Sequence, residues 1–407
     1  MKKAILTLAL CVVASGAFAQ KKNVKEAYNI AKSKTPNFTE ARALIKEAIA
    51  NEETKNDPKT WYTAGCIEDE AFNAQKMKQM LGQKPNEDEM YKALMNELPL
   101  FLKCDTVDHM PDKKGRVKPK YTKKIKPILA ANHKYYINGG AYYFDKKEYK
   151  KALDCFEQFI TIADLPMFEG SDVAARDSNF MTVNFYAAVA AIQEGDRSLS
   201  IPALSRAKKL DFRRNDVYQY LCSEYQQDKD TVNFEKTLKE GMKLFPEEKY
   251  YLLNLINNYV FSNRNEEAIE YLNEAIQREP KNPQYLNVMG YVYEKGKEDM
   301  AKAEEYYKKS LAVDPNFVES LSNLGRIYYN QAVKVLGNAN SINDAEEYKA
   351  EKAKAVSIFD KARPFFEKAH SLKPNEKEYM IALRGIYYNM NLGDKLKAIE
   401  TEMGSVN

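Results

Sequence analysis

Histidine occurs three times in 407 residues, tryptophan once and cysteine five times, and each scarcity closes off a kind of chemistry. Cys104 and His109 lie five apart with Asp105 and Asp108 between them. No second Cys/His cluster follows to complete a tetrahedral set, so no metal is expected. The chain has no G-x-S-x-G elbow, no H-E-x-x-H pair and no phosphate-cradling glycine loop, so neither a catalytic set nor a cofactor is expected. Charge of one sign is also lacking, with 62 basic against 58 acidic residues and a net +4. Such a balance gives no general electrostatic case for nucleic acid or for an anionic membrane. Long apolar runs are missing beyond the first twenty residues. The best, FYAAVAAI at Phe185–Ile192, is bounded by Asn184 and Gln193, well short of the roughly 18 residues a membrane helix needs. Glycine and proline are few, 16 and 15, and sit mostly at turns, as a nearly all-helical chain requires.

The exception to this plainness is the N-terminus, MKKAILTLALCVVASGAFAQ. Lys2 and Lys3 precede an apolar run from Ala4 to Val13, and Ala17-Phe18-Ala19 supplies a small-x-small cleavage site. That is the pattern of a secretory signal peptide over residues 1–19. Cys11 suggests a lipoprotein signal instead, but the bulky Leu10 stands where that processing needs a small residue. We therefore expect a chain beginning near Gln20, exported across the inner membrane of a Gram-negative bacterium, periplasmic or associated with the outer membrane. Export argues further against a nucleic-acid partner. Cleavage removes two lysines and no acid, so the net charge falls from +4 to +2. Cys66, Cys104, Cys155 and Cys222 remain, and a long helical chain can bury them as small apolar residues without disulfides.

Internal repetition is the dominant pattern. Leu286-x2-Met289-Gly290-x2-Tyr293 is followed by Ala303-x3-Tyr307 and Pro315, and Leu321-x2-Leu324-Gly325-x2-Tyr328 restarts the series. Tyr136, Gly140, Tyr143, Tyr149, Ala152 and Phe156 keep the same order, and Trp61, Ala64 and Gly65 supply another opening. Pro246 to Pro280 is 34 residues and Pro280 to Pro315 is 35. Each unit reads as two amphipathic helices whose closest approach is filled by Gly65, Gly140, Ala188, Cys222, Gly290 or Gly325. A proline then stops the second helix. The pattern resembles the tetratricopeptide repeat (TPR) family, W-x2-L-G-x2-Y…A-x3-F…P. The resemblance implies an all-α fold, an α-α superhelix or TPR solenoid of about nine helical pairs. It also implies a concave face for a protein or peptide partner.

Two surpluses interrupt the period. One lies between Gly65 and Tyr136 and contains DKKGRVKPKYTKKIKP, Asp112–Pro127, with eight Lys or Arg in sixteen residues. The other lies between Pro315 and Pro374, 59 residues apart. The expected division is N-terminal TPR-like pairs over 20–103, a basic insertion over 104–130 and a central array over 131–329. An insertion with an extra helix over 330–357 and C-terminal TPR-like helices over 358–407 complete it. Pro119 and Pro127 exclude one uninterrupted helix through the basic stretch. It reads as a solvated linker, or as a docking loop for an acidic partner through Lys113, Lys114 and Arg116.

Residues flanking the packing glycines mark the expected partner face: Asn257, Phe261, Asn287, Tyr291, Arg326 and Tyr329. Asparagine can pair with a partner's backbone, arginine with a carboxylate, and tyrosine supplies amphipathic area. Pairs one turn apart, from Tyr62/Cys66 to Ile381/Gly385, include no Lys/Asn. The carboxylate clamp of chaperone-tail TPR proteins is thus disfavoured. Asp105-Thr106-Val107 and Asp230-Thr231-Val232 resemble a bacterial O-glycosylation tripeptide in expected loops, at Thr106 and Thr231. Acidic groups such as Glu68-Asp69-Glu70 read as solvated helix faces, and His370 as a surface residue. The reading favoured is a non-enzymatic exported scaffold for a protein or peptide in the cell envelope. The alternative is a glycan- or nutrient-binding protein with SusD-like TPR helices. An enzyme using carboxylates alone is the third, and it would need a deep pocket gathering acids from several repeats.

Overall fold

The computed structural model describes residues 21–112 and 114–405; the expected signal peptide lies outside them. Two compact units meet in sequence between Phe234 and Glu235. In the first unit α1 covers 21–31, α2 Phe38–Ala50, α3 Pro58–Met80, α4 Glu87–Asp108 and α5 Thr122–Asn132. It continues with α6 Tyr135–Asp145, α7 Tyr149–Asp164, α8 Ser178–Glu194, α9 Arg197–Ala207 and α10 Arg214–Gln227. Helix α11, Thr231–Leu244, contains the boundary. The second unit holds α12 Lys249–Phe261, α13 Asn265–Arg278, α14 Pro283–Tyr291 and α15 Met300–Val313. It ends with α16 Val318–Ala339, α17 Ala345–Leu372, α18 Lys377–Asn389 and α19 Gly393–Ser405. No strand occurs among the described residues. In chain order the described helices make nine successive pairs, with α5 as the odd one.

Local chemistry sets the starts. Asp57 and Asn282 accept from backbone N–H groups two residues on, and Pro58 and Pro283 occupy the first helical position, where the missing N–H costs nothing. The small residues do what their spacing suggests. A Cβ on Gly290 would stand 2.6 Å from the Tyr307 ring, and one on Gly325 would stand 2.9 Å from Phe366. Gly65 and Gly140 are closed in the same way by Phe101 and Phe156. One aromatic ring of the second helix therefore fills the gap left on the first. Cys66, Cys104, Cys155 and Cys222 are all buried free thiols. Burial pushes the Cys66 thiol up to about 12, so it is not a nucleophile at neutral pH.

Both surpluses are built differently from their expected form. The 330–357 segment adds no separate helix. Helix α16 runs on to Ala339, Asp344 caps the next start, and α17 continues through Pro364 to Leu372. Pro364 is on the exposed side, where the carbonyl it frees can face water. Residues 104–130 are likewise mostly helical at their ends, since α4 closes at Asp108 and α5 starts at Thr122 and runs through Pro127. Only the stretch between them is irregular.

Two surface assignments are corrected. Glu68 is buried, with both oxygens on the Arg42 guanidinium at 2.9 and 2.6 Å. His370 is half-buried, with Nε2 3.1 Å from a Glu402 oxygen, because the final helix α19 covers a face that looks open on α17 alone.

Candidate functional site

The first helices of the second unit, α12, α14 and α16, carry all six residues expected on the partner face. They do not share one role. Asn257 is exposed, and Phe261 is 79% exposed at the end of α12, a large apolar surface with no cover. Tyr291 is half-buried. Asn287 is tied from one side: its Oδ1 accepts from Ser320 Oγ at 2.9 Å and from Asn323 Nδ2 at 3.0 Å. Its position supports the α14–α16 packing as much as any partner.

Arg326 and Tyr329 are corrected. The Arg326 guanidinium donates to both oxygens of Glu294, at 2.6 and 2.9 Å, and to Asn323 Oδ1 at 3.0 Å. It is therefore occupied and not waiting for a partner's carboxylate. Glu294 is 3% exposed and also accepts from the Tyr307 hydroxyl at 2.9 Å and from Lys295 at 3.0 Å. Burial would raise its carboxyl, but Arg326, Lys295 and Tyr307 outweigh burial and hold it below the usual glutamate range. Tyr329 packs its ring 5.5 Å from Phe359 on α17, and its hydroxyl fills the space beside Gly385 on α18. Sequence spacing placed these two side chains on the right helix and missed the neighbours that take them up.

Glu294 reaches Arg326 through a local irregularity. Helix α14 widens into a π turn over Val292–Gly296, a feature that recurs at functional sites. Gly296 meets the Asn265 amide there, its carbonyl accepting from Asn265 Nδ2 at 2.8 Å. Beside this turn lies a cleft of about 540 Å³, within the size range of ligand pockets. Met300, Ala301 and Ile327 give it apolar surface, while Asn330, Gln331 and Lys334 of α16 form a polar wall. The acids at its edge are already engaged, Glu294 as above and Glu304 by Tyr328 at 2.7 Å and by Lys308. The α16 extension thus builds one wall of the cleft. Sequence reasoning missed Asn330 and Lys334, yet both follow Arg326 at four-residue steps, so the stripe was there to be read.

In the first unit a second cavity, about 650 Å³, lies at the α5–α6 bend and is lined by His133, Lys134, Asn138, Asp172 and Asn179. His133 is buried, stacked 4.0 Å from Phe159, and its Nε2 lies 2.9 Å from the Phe159 carbonyl. Burial lowers its affinity for a proton, so the neutral ring donates from Nε2. Of the expected docking loop, Lys113 lies outside the described residues, Lys114 is exposed, and Arg116 is paired with Asp112 at 2.8 Å. Thr106 is exposed, but it sits in the last full turn of α4 with its hydroxyl on the Leu102 carbonyl at 2.9 Å, not in a loop. Thr231 is the exposed first residue of α11. No group of three or more metal-ligating side chains forms among the described residues. No helix is long and apolar enough to cross a membrane, again among those residues.

The tetratricopeptide-repeat family model matches residues 254–282 and 283–317, which span most of α12 through α15. Among solved structures, the chain is similar to the MamA protein, at 18% identity over 46% of this chain and 93% of that one, TM-score 0.34. It is also similar to YrrB, described as a TPR protein with an unusual peptide-binding site, at 14% identity over 50% and 97%, TM-score 0.34. A third is the C-terminal part of a TPR repeat-containing protein from Cytophaga hutchinsonii, at 13% identity over 68% and 95%, TM-score 0.41. No curated protein matches. The matched repeats and the ring-on-glycine contact of Gly290 with Tyr307 agree: the chain carries tetratricopeptide repeats over residues 254–317.

Proposed function

We propose that this chain is a non-enzymatic exported scaffold that holds a segment of a partner protein on the first-helix face of its second unit, in the cell envelope. The carrying observation is the cleft beside the π turn, with apolar Met300 and Ile327 next to the Asn330 and Gln331 amides and the Lys334 ammonium. An extended segment has one need for each group. An aliphatic side chain covers Met300 and Ile327, the amides pair with its backbone, and an acidic side chain or terminus meets Lys334. Phe261 adds uncovered apolar area on α12, and that helix contacts the Val292–Gly296 turn. Charged groups that would favour catalysis in this cleft are tied to one another, which suits binding better than proton transfer. The envelope location rests on the N-terminal signal pattern.

Selection from a displayed library of random peptides tests the binding role, and the expected outcome is enrichment of sequences with an aliphatic residue near an acid. Failure to enrich any sequence would overturn it. N-terminal sequencing of the native protein from fractionated cells tests export: a start near Gln20 in the envelope fraction is expected, and retention of Met1 in the cytoplasm contradicts it.

A further inference from the structure

The basic stretch of the first unit has a simple internal economy. Three acids lie between Asp105 and Pro127, and each is used to build the loop. Asp108, buried at the end of α4, accepts from the backbone N–H groups of Lys120 and Tyr121 at 2.5 and 2.6 Å. Asp112 accepts from the N–H groups of Lys114 and Arg116 at 2.8 and 3.0 Å, and its other oxygen takes the Arg116 guanidinium. Asp105 accepts from the Thr122 hydroxyl at 2.6 Å and lies 3.6 Å from His109 Nδ1. Lys124 and Lys126 lie over aromatic rings, Tyr121 and Tyr62 for the first and Phe168 for the second.

Lys114, Lys118, Lys120 and Lys123 are left exposed, and none of them enters an ion pair among the described residues. Among them stand two uncovered apolar side chains, Met110 at 51% and Val117 at 50% exposure. The turn glycine Gly115 has a φ of 75°, and a Cβ there would meet nothing within 4 Å. The stretch is therefore a pinned loop with an open apex, carrying unpaired cations and two apolar side chains.

We propose that this loop, through its described residues 109–112 and 114–123, docks on an anionic lipid surface. Four ammonium groups would meet headgroup phosphates, and Met110 and Val117 would enter the headgroup boundary, where amphipathic segments gain from both terms. A lipid interface accepts a projecting apex, whereas an acidic polypeptide would need a trough to follow. The loop is remote in sequence from the cleft proposed to bind peptide, so either role can fail alone.

The test is co-sedimentation of the purified chain with phosphatidylcholine vesicles, with and without phosphatidylglycerol, at low and high salt. Binding only to the anionic vesicles, weakened by salt, is expected. Each of Lys118→Ala, Lys120→Ala and Lys123→Ala should lower partitioning about fivefold. Met110→Ser with Val117→Ser should lower the part that survives salt. A control triple at Lys349, Lys352 and Lys354 on α17 should leave binding unchanged, and circular dichroism should show every variant folded. Absence of binding, equal binding to neutral vesicles, or equal loss in the control triple would overturn the proposal. So would capture of poly-glutamate by a chain that ignores anionic vesicles.

Discussion

Each unit buries a glutamate under a tyrosine, and the two neutralise it in opposite ways. Glu97 on α4 is fully buried and receives Asn132 Nδ2 at 3.0 Å, with the Tyr136 hydroxyl 3.2 Å away. Among the described residues no cation touches it, and Asn132 links it to a second acid, Asp69, at 2.9 Å. Burial, reinforced by the Asp69 charge, raises its carboxyl well above the usual range, which favours the protonated form. Tyr136 also donates to the Leu94 carbonyl at 2.9 Å, so its one hydroxyl hydrogen is shared between that carbonyl and Glu97. Glu294 on the π turn has the same tyrosine, Tyr307, and adds Arg326. There the carboxyl stays ionised. The difference teaches that a charge which looks available in a repeat sequence can already be taken, as Arg326 is, or can be disfavoured by burial, as at Glu97.

The largest contrast should come from removing each charge. Glu294→Gln leaves Arg326 beside a neutral amide and should cost about 2–4 kcal/mol in urea unfolding. Glu97→Gln keeps a neutral side chain of the same shape and should change stability by less than about 1 kcal/mol at neutral pH. Equal costs would break the comparison. Hydrogen exchange separates the units, with faster exchange expected in α14 and α16 for the first variant only.

Acidity should divide the units as well. The depressed Glu294 carboxyl contributes stability above its unfolded pKa near 4.5, and this is lost as pH falls through the lower folded value. The raised Glu97 carboxyl contributes stability fully present below 4.5, and this is lost as pH rises through its folded value. Protection in α14 and α16 should therefore fall first on acidification, and Glu97→Gln should remove part of the loss in α4 and α6 as pH rises above 4.5. A smaller step separates the tyrosines. Tyr307→Phe removes a donor to a charged acceptor and should cost about 2 kcal/mol, against about 1 for Tyr136→Phe, read from the same urea curves.

The fold was legible because its steric requirement is written in single residues. Gly65, Gly140, Gly290 and Gly325 each admit one ring, and no larger side chain would do so without movement. Prolines at repeat spacing then fixed the register. The site was less legible because its polar contacts are made between repeats. Glu294 and Arg326 lie 32 residues apart, and Glu294 sits within the π turn. The surplus before Pro374 looked like an added helix because Asn338 to Asp344 reads as a break, whereas α16 and α17 simply lengthen on either side of it. His370 was misjudged for the same reason as Arg326: its neighbour comes from another helix, α19.

The cleft beside that buried pair is where these points meet function. The most direct test is calorimetric titration of a display-selected peptide into the wild-type chain and into Ile327→Glu and Asn330→Ala with Lys334→Ala. Asn330 and Lys334 are exposed, so their change should move stability by no more than about 0.5–1 kcal/mol. Ile327 packs beside Ala303, Tyr307 and Leu324, and its change should cost about 1–3 kcal/mol. The account predicts at least a tenfold weaker affinity for each variant, with folding intact. Unchanged affinity in all of them, with the peptide still bound, would place the partner elsewhere and contradict it.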